Sequence, residues 1–275
     1  MKIIISHDVD HLYRSDHYKD LIIPKLFVRE SIALVKRRLD FTQWHRRISG
    51  ILSKNINHIE ALAEFDKKKS VRSSFFFGMA NGLGMSYNKF KAAKFIDLVR
   101  RYGFEAGVHG IEYKDEQAMK AEFNDFRDIS ATEAKGIRMH YVRFDSLTSQ
   151  KLSACGYIYD STEFDKQAGC CIKAPYKVDT MWEFPLCVMD CYLPNSLQNK
   201  KKMTIQLLDR AEKQGLPYFT MLLHDFYYCD AYVDFKSWYE WSVDYFIEHG
   251  YPFISYLDAV RELETKRGGN VCAES

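Results

Sequence analysis

The 275-residue sequence has no CxxC pair among its seven cysteines, and the number is odd. That argues against a thiolate zinc site or a disulfide framework and for free thiols in a reducing compartment. No glycine-rich nucleotide fingerprint follows an apolar run; GMANGLG, with Gly78, Gly82 and Gly84, lacks the strand-to-helix context such a loop needs. No apolar run approaches the roughly 20 residues of a membrane span. The start of the sequence shows no charged region followed by an apolar core and cleavage site, so a cytoplasmic location is the expectation. A formal net charge of +2 gives no global signature of nucleic-acid binding. No low-complexity stretch or linker divides the chain. What is present is ample core material: 47% hydrophobic residues, 15% of the chain aromatic.

One unit recurs. A helix-like segment reaches a glycine stop and a short apolar run follows: FIDLVRRYG-FEAGVH, KLSACG-YIYD, LLDRAEKQG-LPYFTMLLHD and DYFIEHG-YPFIS. Gly103, Gly156, Gly215 and Gly250 stand where helix-terminating glycines belong. Adding Lys2–Ile5, Val71–Gly78, Gly136–His140 and a less regular Glu183–Leu193 gives about seven or eight strands. Helix and strand in tight alternation predict a parallel sheet, and polar groups at the ends of many strands favour an α/β barrel over a doubly wound sheet. The expected organisation is one domain over residues 1–266, with a helical insertion at about 13–69 after the first strand and a flexible tail at 267–275. Within the insertion, KLFVRESIALVKRRLDFTQWHRRISGILSK carries an excess of about six positive charges. It reads either as a solvated helical face or as a surface for anionic lipid or phosphate.

The chemistry gathers at strand ends. MKIIISHDVDH places two carboxylates and two imidazoles directly after a buried strand, the position where α/β folds keep their sites. Asp8 and Asp10, two apart, face one side of an extended strand and repel unless a cation or proton intervenes. His7 reads as a local hydrogen-bonding residue. Three further strand ends carry Gly107-Val108-His109-Gly110, Arg138-Met139-His140-Tyr141 and Leu222-Leu223-His224-Asp225. Asp, His and Arg from separate strands suit metal-assisted hydrolysis: nitrogen and oxygen ligands, a base and a separate acid. Trp182, Tyr227, Tyr228 and Trp238 are candidates for a sugar cleft or for core.

These motifs resemble those of the polysaccharide deacetylase family, the NodB-homology domain of carbohydrate esterase family 4, in a divergent form. Asp8-Val9-Asp10 is similar to the first motif, the stretch from Gly107 to Tyr113 to the second, Arg138–Tyr141 to the third, Tyr159-Asp160-Ser161 to the fourth and Leu222–Asp225 to the fifth. The resemblance implies a distorted (β/α) barrel of about seven strands and one divalent metal ion, zinc by family habit. Asp8 would be the base, Arg138 its orienting cation and His224 the acid, with Asp225 or Asp160 orienting His224. A backbone N–H near Tyr141 would hold the oxyanion. Asp190 has a weaker claim. Two departures stand out. Tyr113 occupies the position of the family's second metal-binding His, and a neutral phenol is a poor ligand; His140 stands where the third motif has Pro. The implied metal set is therefore Asp10, His109 and His140, with His11 in reserve.

The resemblance implies a metal-dependent deacetylase of an N-acetylated sugar, nucleotide-linked or lipid-linked, in bacterial surface-polysaccharide biosynthesis. A cytoplasmic enzyme of this kind could touch the inner membrane through the basic insertion. The rival readings are an inactive glycan-binding protein on the same fold and an amidohydrolase of another small amide. A nucleic-acid partner is not expected.

Overall fold

A computed structural model describes residues 1–271, with side chains to residue 267. The first strand, β1 (Lys2–Val9), is buried from Ile3 onward, as its unbroken apolar start requires of a central parallel strand. Helices α1 (Ile22–Val35), α2 (Phe41–Ile51) and α3 (Ile59–Lys68) follow, then β2 (Ser74–Gly78), α4 (Lys89–Arg101), β3 (Glu105–Gly110), α5 (Glu116–Ser130) and β4 (Gly136–Met139). After α6 (Thr148–Cys155) come four short strands, β5 (Tyr159–Asp160), β6 (Tyr176–Val178), β7 (Met181–Glu183) and β8 (Val188–Met189). The chain ends with α7 (Leu197–Lys213), β9 (Tyr218–Leu222), α8 (Val233–Glu248) and α9 (Tyr256–Val271).

The described strands form one sheet in the order β6-β7-β5-β4-β3-β2-β1-β9-β8. Every neighbouring pair is parallel except β6 with β7. Helices cover the sheet, and the main core joins Ile3 and Ile5 of β1 to Phe75 and Phe77 of β2 and to Phe219 and Met221 of β9. This is the expected distorted α/β barrel. Among the described residues no helix is long and apolar enough to cross a membrane.

The sheet curls into a partial barrel. Strands β7 and β8 lie toward opposite ends of the strand order, yet only Phe184–Cys187 separate them. Phe184 N–H donates to Asp160 O at 2.8 Å, and Cys187 N–H to Thr220 O at 3.2 Å. This segment stitches one side of the sheet to the other. The irregular strand expected over Glu183–Leu193 is divided, with β7 ending at Glu183 and β8 covering Val188–Met189; β6, which the sequence pattern does not announce, brings the described strands to nine. YPFIS instead forms only a bridge, Ile3 to Phe253, so the fourth repeat unit yields no strand.

The four stop glycines all take positive φ, from +67° at Gly215 to +104° at Gly156. Gly136 answers a different need: a Cβ there would lie 2.0 Å from the Tyr159 ring. The 13–69 stretch is not one insertion. Ile59, Leu62 and Ala63 of α3 belong to the main core, so α3 is the crossover helix between β1 and β2. Only α1 and α2 stand apart, packed through Leu26, Ile48 and Ile51 on Phe226 and Tyr232. Helix α9 continues through Val271, into the stretch read as tail; residues 272–275 lie outside the described residues.

Candidate functional site

The strand register brings the motif residues together. Asp8 pairs with Phe76, Gly78 with His109, and His109 with Arg138, so β1, β3 and β4 present their polar ends at one mouth of the barrel. His224, just past β9, arrives at the same mouth: its Nε2 lies 3.8 Å from Asp10 Oδ2. A cavity of about 520 Å³ opens there, with Asp8, Asp10, His140 and His224 in its lining. Tyr141 and Tyr227 also line it, as do Lys25 and Arg29 of α1.

Asp10, His109 and His140 offer ligand atoms that all lie within 4.8 Å of one another. His109 Nδ1–H donates to the Arg138 carbonyl at 3.0 Å, and His140 Nε2–H to the Leu83 carbonyl at 3.3 Å. Each ring therefore turns its other nitrogen inward as a lone pair. Those nitrogens, His109 Nε2 and His140 Nδ1, face each other at 3.0 Å. Asp10 Oδ1 lies 3.2 Å from the first and 3.3 Å from the second, and makes no hydrogen bond of good geometry. Two lone pairs and an orphaned carboxylate oxygen converging on one point fit a divalent cation, with backbone carbonyls fixing both tautomers as outer-shell partners do. Without a cation the cluster must share protons instead. Burial would lower His140, but Asp10 outweighs it and pushes the imidazole above its ordinary value.

Tyr113 takes no part. Its ring packs under the Arg143 guanidinium at 5.0 Å. His11 lines the cavity, but its ring packs against His17 and Phe226, and burial lowers its pKa to about 4.

Asp8 sits beside this cluster. Arg138 Nη1 donates to Asp8 Oδ1 at 2.8 Å, and both side chains are buried. Burial alone would raise the carboxyl; the charge of Arg138, foremost among its neighbours, outweighs it and holds Asp8 below the usual carboxylate range. Arg138 is itself fixed by the Ser161 carbonyl at 2.8 Å and by Ser161 Oγ and Tyr256 Oη, both at 3.0 Å.

His224 is held by Asp190, not by Asp225 or Asp160. Its Nδ1–H donates to Asp190 Oδ1 at 2.9 Å, and its backbone N–H to Asp190 Oδ2 at 2.6 Å. Burial would lower the imidazole, but Asp190 drives it well above its ordinary value. Asp225 turns away and accepts the His58 N–H at 3.0 Å; burial keeps its carboxyl well above the carboxylate range. Asp160 accepts from Thr162 Oγ1 at 2.5 Å. Burial raises the Asp160 carboxyl to about 6. Cys191 also approaches His224 Nδ1, at 4.0 Å, but that nitrogen is engaged by Asp190.

After His140 the backbone turns sharply: Tyr141 and Val142 take φ of 57° and 43°. For a β-branched residue this is a strained conformation of the kind that collects at functional sites. Of the four aromatic candidates, only Tyr227 lines the cavity; Trp182, Tyr228 and Trp238 are buried in packing. Asp190, Tyr256 and the Leu83 carbonyl are supporting groups that lie outside the motifs, and Ser161, the last residue of the fourth motif, proves to be the anchor of Arg138.

No protein-family model and no curated protein matches this sequence. Solved structures do. A Mycobacterium smegmatis protein named as a polysaccharide deacetylase superposes with a TM-score of 0.63 at 14% identity, over 97% of this chain and 91% of that one. A Pseudomonas aeruginosa PAO1 protein, also named as a polysaccharide deacetylase, gives 0.56 at 13% identity, over 94% and 89%. This chain shares the fold of those proteins, and its chemistry rests on its own residues.

Proposed function

We propose that this chain, built on the polysaccharide deacetylase fold, is a metal-dependent deacetylase that hydrolyses the N-acetyl group of a sugar. The intracellular assembly of a surface polysaccharide is the setting, and a nucleotide-linked or lipid-linked sugar is the substrate. One observation carries the reading. Asp10, His109 and His140 converge as an unpaired carboxylate oxygen and two lone-pair nitrogens, with a buried Asp8–Arg138 pair and an Asp190–His224 pair beside them.

A divalent cation held by those three residues, zinc by ligand type, would supply Lewis acidity toward water and the acetamide carbonyl. Asp8, kept ionised and oriented by Arg138, takes the proton of the attacking water. The water oxygen bonds to the acetyl carbon. The oxyanion falls to the strained turn at Tyr141, where a backbone N–H is a fitting donor. His224, protonated through its pairing with Asp190, delivers a proton to the nitrogen as the C–N bond breaks. Acetate and the free amino sugar result. Tyr227 offers a ring to a sugar face, and Lys25 and Arg29 suit a phosphate on the carrier.

The test is acetate release from N-acetylated sugars presented free, nucleotide-linked and lipid-linked, with zinc supplied. Asp8→Asn is expected to lose activity by about 10²–10⁴-fold while binding metal as wild type does. Full activity in that variant, or no acetate from any substrate with metal bound, would overturn the proposal.

A further inference from the structure

Helix α1 has two working faces. Ile22, Lys25, Leu26 and Arg29 line the cavity. Leu21 at the N-cap and Val28, Ile32 and Val35 within the helix recur at steps of seven, four and three, so they form one stripe. Their exposures are 71%, 54%, 48% and 82%. At 100° per residue the stripe lies about a quarter turn from the cavity face, with Lys25 on the border between them. Phe41, across the turn at the start of α2, adds a further exposed ring.

The stripe runs into Lys36-Arg37-Arg38, all exposed. Arg29 and Arg47 share the single carboxylate of Glu30, whereas these three have no ion-pair partner among the described residues. Arg37 takes φ of 53°, the left-handed position after a helix that glycine fills at lower cost. A cation thus stands where the backbone favours a residue without a side chain.

We propose that this stripe and basic turn dock on an anionic phospholipid bilayer, setting the cavity mouth at the membrane surface. An apolar helix face flanked by cations is what interfacial binding uses: side chains enter the acyl boundary while Lys and Arg meet lipid phosphates. The three unpartnered cations favour an anionic surface as occupant; a second copy of this chain with its helix set parallel would bring the two basic turns toward each other. On the deacetylase reading, the substrate this arrangement serves is an acetamido sugar on a phosphate-bearing lipid, with Lys25 at the rim near the phosphate.

The test is flotation of the full chain with phosphatidylcholine vesicles, alone or with about a third phosphatidylglycerol, at low and high salt. Binding is expected to be at least about tenfold tighter to the anionic vesicles and to weaken with salt. Ile32→Ser with Val35→Ser should weaken it on the order of a hundredfold. Arg37→Gly should weaken it about fivefold while raising the melting temperature by a few degrees, which separates lost docking from lost folding. Equal binding to both vesicle types, or unchanged binding of the serine variant, overturns the proposal. So does a wild-type dimer in light scattering that the serine variant converts to monomer. No substrate enters this assay, so it can fail while acetate release succeeds, or the reverse.

Discussion

Replacing His140 with alanine removes one of the three converging ligands and leaves the His109 tautomer intact, because His109 is fixed by the Arg138 carbonyl and not by His140. Zinc held by four ligands contributes about 10–16 kcal/mol, roughly 3 kcal/mol for each ligand, so the variant should bind about a hundredfold more weakly. At free zinc near a hundred times the wild-type Kd, binding stabilises the wild type by about 2.7 kcal/mol and the variant by about 0.4 kcal/mol. For a domain of this size that is a rise in Tm of roughly 5–10 °C against about 1 °C. Differential scanning fluorimetry with and without zinc, read beside elemental analysis, measures it. His11→Ala and Tyr113→Phe should keep the full rise, since the His11 ring packs on His17 and Phe226 and Tyr113 lies under Arg143. An equal zinc response in wild type and His140→Ala would refute the relocated-ligand argument. So would loss of the response in His11→Ala alone.

Two pH effects follow from the buried acids and bases. Asp190 holds His224 protonated well above its ordinary value, so the acid form persists as pH rises past 6.5; in Asp190→Asn the alkaline limb of the kcat profile should move to lower pH, and superimposable limbs would contradict the pairing. Glu122 accepts the Ile111 and Glu112 N–H groups behind β3, and burial raises its carboxyl to about 7. A raised folded-state pKa gives stability that is full below the unfolded value of 4.5 and is lost as pH rises through 7, a span of about 3 kcal/mol. Urea titrations from pH 4.5 to 8 should show wild type losing about that much more than Glu122→Gln; parallel curves would rule out an ionising Glu122.

What the sequence makes legible is what sits at the end of an apolar strand. Asp8, Asp10, His109, Arg138 and His224 each follow a run whose burial is forced by its own composition, so their place at one mouth of a parallel barrel follows from the strand pattern. Asp190 escapes the same reasoning. It follows β8, a strand of two residues, too short to carry a period, and it reaches His224 only because the chain crosses from one side of the sheet to the other within Phe184–Cys187. The partners of Arg138 are hidden differently: Tyr256 lies 118 residues away in a segment that reads as the end of a strand, and the carbonyls that set both histidine tautomers belong to the backbone, which has no sequence signature. Residue type therefore identified the groups that carry charge, while the groups that orient them became visible only in three dimensions. The exception is His140. Its departure from the Arg-x-Pro-Tyr pattern, read beside the missing ligand at Tyr113, pointed to one displaced imidazole, and its Nδ1 lies 3.3 Å from Asp10 Oδ1. A loop can bring a ligand to a metal from either strand so long as its backbone supplies the second hydrogen bond. Here the Leu83 carbonyl does so, and the strained turn at Tyr141 and Val142 accompanies that placement.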